Sequence, residues 1–186
     1  MDNLANADAV FSIANIVETG LEYNMKPGDW YGPSTMIQIF EHLNSKYNPF
    51  KDLNIISFPE GVIYIETIQK KLQKDSNSLI ILIGFRLGIN HINNEYFPAI
   101  IRLMNHKSFV GISGGCGAGA LYLIGHNENN FAYLDPHTTQ LAIPSIENLW
   151  AQHLTYHCEK PLYLPFGSMN TSFAIGKLEY NQKDFI

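Results

Sequence analysis

Cysteine is scarce in this chain: Cys116 and Cys158 are the two among 186 residues. One bridge at most cannot staple a fold of this length, so reduced thiols in a cytosolic setting are expected. Long apolar runs are missing as well. The longest strongly apolar stretch, "LIILIGF" (79–85), is far short of the roughly 20 residues that cross a bilayer. Positive charge is not in excess: the formal net charge is -5, which leaves no basic footprint for nucleic acid. The opening "MDNLANADAVFSIANIVETG" has neither the basic start nor the unbroken apolar centre of a signal peptide. Repeats, linkers and low-complexity stretches are absent too. What remains, 46% hydrophobic and 16% charged, reads as one soluble globular domain over residues 1–186.

Within that domain the periodicities alternate. Val10, Ile13, Ile16, Val17 and Leu21 recur at helical spacing, with Asn6 or Asp8 as the cap and Gly20 near the end. "MKPGDWYGPST" (25–35) is a Gly/Pro loop around Trp30, which reads either as a core anchor or, slightly favoured by the loop, as a binding-surface aromatic, and Pro33 or Ser34 opens a second helix. "LNIISF" (53–58) and "GVIYIE" (61–66) read as strands, "TIQKKLQK" as a surface helix, and "SLIILIGFRLG" (78–88) as a buried strand. Residues 92–105 return to helical spacing, with Pro98 inside as a weak point. "SFVGIS" is a strand leading into glycines, residues 120–137 form a hairpin turning at "HNENN", "SIENLWAQHLTYH" is helical, and "TSFAIGKLEY" is the last strand. The mixture predicts an α/β or α+β domain.

"YLDPHTTQ" (133–140) carries the chemistry. In extended chain, residues two apart project from one face, which sets Asp135 beside His137. The carboxylate then fixes the imidazole tautomer and favours the protonated ring, as the base-and-orienter half of a nucleophilic triad does. The simpler reading is a turn capped by Asp135 with an exposed His137. A hairpin centred on residues 128–129 brings His137 near residue 120, beside the glycine stretch "GISGGCGAGA" (111–120). That stretch reads as a flexible loop, serving either as a lid or as a plain connection. A dinucleotide fingerprint there lacks its following helix, and a P-loop lacks its Lys. Cys116, on so mobile a loop, is a poor platform for a nucleophile. His153 and His157 would share a helical face, but no further ligand completes a metal site, and neither a metal nor any other cofactor is expected.

Several stretches together resemble the autophagins, the autophagy cysteine peptidases that trim and delipidate a ubiquitin-like modifier. They are "FSIANIVETG", "GDWYGPST", "LIILIGFRLGINHINNEYF", "GISGG", "YLDPHTTQ", "TYHCEKP" and "MNTSFAIGKLE", in the family's order. The resemblance implies an α+β, papain-like fold and a Cys–His–Asp triad with His137 as general base and Asp135 as its orienter. It implies that Trp30 borders the substrate-tail groove and that Gly114, Gly115 and Cys116 belong to the loop covering the site. Cys158 matches a stretch that does not carry the nucleophile. The family's nucleophile lies upstream, in a Trp-Gly-Cys stretch opening a buried helix, so the chain is expected to be an incomplete, C-terminal part of the fold. The implied partner is the modifier, free and lipid-conjugated, in the cytoplasm. Transient contact with a membrane surface would then come through the lipidated substrate. The alternative is a catalytically dead remnant that only binds the modifier.

Overall fold

A computed structural model describes residues 9–50, 52–74, 78–141, 143 and 146–180. Its centre is a seven-stranded sheet in the order β1-β2-β7-β3-β4-β5-β6. The strands are β1 (Leu53–Phe58), β2 (Ser78–Arg86), β3 (Phe109–Cys116), β4 (Gly119–Asn127), β5 (Asn130–Leu134), β6 (Leu162–Pro165) and β7 (Ser172–Glu179). Only β1 and β2 run parallel; every other neighbouring pair is antiparallel. A parallel neighbour needs a crossover, and α3 (Ile65–Lys74) supplies it. The other α-helices among the described residues are α1 (Ile13–Glu22), α2 (Pro33–Tyr47), α4 (Phe97–Met104) and α5 (Ile146–Gln152).

Strand register sorts the side chains into two layers. Ile56, Ile81, Ile83 and Ile175 share one face, where Ile68 of α3 and Ile100 of α4 close over them as core. Leu82, Ala174, Gly176, Ser113 and Tyr122 share the other. There α2 covers β1 and β2 through buried Ile37, Ile39 and Leu43. Further across, over β7, β3 and β4, that face carries Gly111, Ser113, Gly115, Ala120, Ala174 and Gly176. α2 reaches only the near border of this small-residue strip, at β7, where Met36, Ile37 and Phe40 face it across a groove.

Several expectations change. "GVIYIE" is not a strand: residues 61–64 are loop, and α3 begins at Ile65. The β-branched residues there found no partner strand, and Val62, Ile63 and Tyr64 are exposed. Asn6 and Asp8 lie outside the described residues, and the cap of α1 is Ser12, whose Oγ accepts from the Asn15 N–H. Pro98 does not weaken a long helix. It sits in the first turn of α4, where its missing N–H costs nothing, and a 3₁₀ turn (Asn94–Tyr96) precedes it. β6 escaped sequence reading because "LYLP" is short and ends in proline.

The glycine stretch is the largest revision. It is not a flexible loop: β3 runs through Cys116, and only Gly117 and Ala118 separate it from β4. The glycines serve close approach instead. A Cβ at Gly114 would meet Met169 Cε at 2.9 Å, and one at Gly115 would meet Asn170 Nδ2 at 2.5 Å. Asn170 secures the hairpin: its N–H donates to Gly115 O at 2.8 Å and its side chain to Gly117 O at 3.4 Å.

Candidate active site

Asp135 and His137 follow directly on β5, where the ladder has ended and the backbone turns. The hairpin partners Asn127 with Asn130 across Glu128 and Asn129, and Glu128 takes a left-handed φ of 50° to make the turn. A bulge between Leu123 and Gly125 shifts the register once along the way. The ring of His137 arrives against Gly119: a Cβ there would stand 3.2 Å from Cε1 and 3.6 Å from Nε2.

The pair itself is tightly joined. Asp135 Oδ1 accepts the His137 backbone N–H at 3.0 Å and contacts its Nδ1 at 2.5 Å. An ionised carboxylate only accepts, so Nδ1 must carry the proton. In the neutral ring this leaves the Nε2 lone pair as the base. Both side chains remain open to solvent, 54% exposed for His137 and 41% for Asp135. The backbone N–H of His137, and then its side chain, hold the Asp135 carboxyl below the usual carboxylate range. A lowered native pKa gives a contribution present above the ordinary carboxylate pKa and lost as pH falls through the lowered one. At this exposure the effect on stability is small. Following the Asp135 carboxyl carbon by NMR should show a midpoint below the ordinary carboxylate value, and Asp135 should remain ionised across neutral and mildly acidic pH.

Trp30, 59% exposed, Gly114 and Gly115 come together in one groove of about 960 Å³ on the small-residue face. Met36, Ile37 and Phe40 of α2 form its opposite wall. Cys116 does not line it. Cys116 pairs with Gly119 across the hairpin, which turns both toward the same side of the sheet. Its thiol, however, donates to Ser168 O at 3.3 Å, and no hydrogen bond joins it to His137. Cys158 is exposed, with its thiol on Lys160 O at 3.2 Å. His153 and His157 do not share a helical face, because α5 ends at Gln152 and His157 is extended. Among the described residues no three His, Cys, Asp or Glu side chains gather as metal ligands.

Two residues gain importance from the geometry. Tyr122 lies over Gly111, where a Cβ would meet its hydroxyl at 2.3 Å, and donates to Val110 O at 2.8 Å. Burial raises its phenol pKa. Gly119 is the other, and the hairpin register was the signal for it. Gly119→Ala should leave the melting temperature nearly unchanged, because an exposed ring gives way by a few tenths of an ångström. It should nonetheless shift the His137 ring resonances, while the same change at open Gly125 should not.

The catalytic-domain model of peptidase family C54 matches residues 2–186. The chain belongs to that family. Among C54 relatives, "Cysteine protease ATG4" of Saccharomyces cerevisiae (strain ATCC 204508 / S288c) is 33% identical over 181 residues, which cover 96% of this chain and 36% of that protein. "Cysteine protease atg4da" of Danio rerio is 27% identical over 95% of this chain and 37% of its own length. "Cysteine protease ATG4A" of Gallus gallus is 27% identical over 98% of this chain and 56% of its own length. The chain thus spans between about a third and somewhat over half of these C54 proteins. The mixed α/β sheet described above is the family's papain-like peptidase fold.

Proposed function

We propose that this chain is the acid–base and substrate-guiding part of a single C54 cysteine peptidase domain, in a cytoplasmic protein acting on a ubiquitin-like autophagy modifier. The observation that carries the reading is the Asp135–His137 hydrogen bond at the solvent-open end of β5, with Nε2 left as a base. In this reading the nucleophilic thiol belongs to the part of the relatives' length that this chain does not span. In this scheme Nε2 takes the proton of that thiol, and the thiolate attacks the carbonyl carbon of a glycine near the modifier's C terminus. Nε2 then returns the proton to the leaving amine, which is the downstream peptide or the lipid headgroup nitrogen. Water, giving a proton to the same nitrogen, attacks the resulting thioester carbonyl; the C–S bond breaks, the glycine carboxylate leaves, and Nε2 returns the proton to the thiolate. Asp135 keeps its proton count throughout and steadies the imidazolium. The modifier's tail passes Trp30 and lies over Gly114 and Gly115, beside Cys116. Membrane contact is transient and made through the lipidated substrate.

Incubating the intact protein with the modifier, carrying a C-terminal extension, tests this. Cleavage after the glycine that disappears in His137→Ala is the expected result; cleavage unaffected by His137→Ala would remove the reading. A second reading, a binding-only remnant, draws on the engagement of Cys116 with Ser168 O. It predicts capture of the modifier with no cleavage by the intact protein.

A further inference from the structure

At the opposite edge of the sheet a second groove stands apart from the chemistry described so far. β1 ends the strand order, and five strand spacings separate it from β5, about 24 Å at about 4.8 Å each. Two lobes meet there and share Glu41, Ser57 and Pro59. The polar lobe, about 640 Å³, adds Tyr23, Gln38 and His42. The apolar lobe, about 650 Å³, adds Ile56, Phe58, Glu60, Val62, Tyr64 and Thr67.

Glu41 is the hinge of this groove. Its Oε2 accepts both the Ser57 N–H at 2.9 Å and the Ser57 hydroxyl at 2.5 Å. The Ser57 N–H lies on the side of β1 away from β2, so Glu41 caps the exposed sheet edge at that point. The cap discourages an added strand and turns the place into a side-chain site. Oε1 of Glu41 has no hydrogen-bond partner among the described residues. The other carboxylate lining the lobes is Glu60, and no Lys or Arg lines either lobe. His42 is turned toward Glu22, with Nδ1 3.7 Å from Oε2, and its ring meets Tyr23 edge-on. Burial, and then Glu22 and Glu41, push the Tyr23 phenol upward, which agrees with negative potential at this spot.

We infer that this groove docks a partner protein's extended segment by an arginine side chain seated at Glu41, with a neighbouring apolar side chain against Val62 and Tyr64. The guanidinium suits the place better than an ammonium. Its planar fork donates to the remaining carboxylate oxygen while its face stacks on an aromatic ring such as Tyr23 or Tyr64. The inference does not rest on the peptidase reading and holds whether or not the protein cleaves anything.

Fluorescence anisotropy with the intact protein and a labelled Val-Thr-Arg-Val-Thr-Val peptide tests it. The arginine peptide should bind saturably, and its citrulline counterpart at least tenfold more weakly. Glu41→Gln, whose amide oxygen still accepts from Ser57, should weaken binding at least tenfold, and exposed Glu60→Gln by a smaller factor at an unchanged melting temperature. Glu18→Gln on α1, which lines neither lobe, should change nothing. Equal affinity for the arginine and citrulline peptides, or no loss in Glu41→Gln, would overturn the inference. Equally tight binding of a lysine peptide would overturn the choice of arginine.

Discussion

Asp135→Asn should lower kcat for the modifier cleavage proposed above, in the intact protein, by about 10⁴-fold, the scale seen when a triad carboxylate becomes an amide, with KM little changed. The backbone N–H of His137 is still satisfied by the amide oxygen, so the local turn survives. The ring is not so served. An amide also offers N–H donors, and a donor facing Nδ1 stabilises the tautomer with its proton on Nε2. That tautomer has no base directed at a thiol. A loss in kcat and kcat/KM together, with unchanged substrate binding, marks an interaction used in the transition state. A loss below tenfold would mean that Asp135 only caps the turn.

The second large effect concerns stability rather than chemistry. Gly88→Ala should destabilise the fold by about 3 kcal/mol, combining backbone strain and a steric clash. Gly88 has φ +150°, at the limit of what other residues adopt, and a Cβ there would come within 1.9 Å of His91 O. The carbonyl cannot simply withdraw. Around it, Leu87 N–H is bonded to Thr171 O and Asn93 N–H to Leu87 O, which tie this loop to the start of β7. For a chain of this size the loss corresponds to a fall in Tm of roughly 6–12 °C, readable by circular dichroism. Gly125→Ala, where a Cβ meets nothing within 4 Å, is the matched control.

How much of this was legible depended on whether the signal was local. The β4–β5 hairpin was readable because "HNENN" supplies the turn and both arms are apolar, and its register brought His137 to the hairpin's open end, beside Gly119 at the β3–β4 turn. The glycine stretch was misread because glycine has two uses. It frees a chain, or it lets neighbours come close. Met169, Phe173 and Asn170, more than 50 positions away in sequence, decide for the second. α1 shows the same limit. Its apolar spacing was visible, yet Ile13 and Leu21 are exposed while Thr19 and Gly20 are buried, because the Tyr31 ring lies on Gly20. Val62 to Tyr64 carry strand propensity without a strand edge to join. The Glu41–Ser57 groove had no sequence signature at all, since it joins a helix and a strand 16 positions apart.

The most direct test of the account is the protonation of the His137 ring, read from two-bond ¹⁵N–¹H correlations at a pH where the ring is neutral. The proton should reside on Nδ1 with Nε2 bare, and Asp135→Asn should move it to Nε2. A neutral ring already protonated on Nε2 in the native protein would contradict the assignment of His137 as a base held by Asp135.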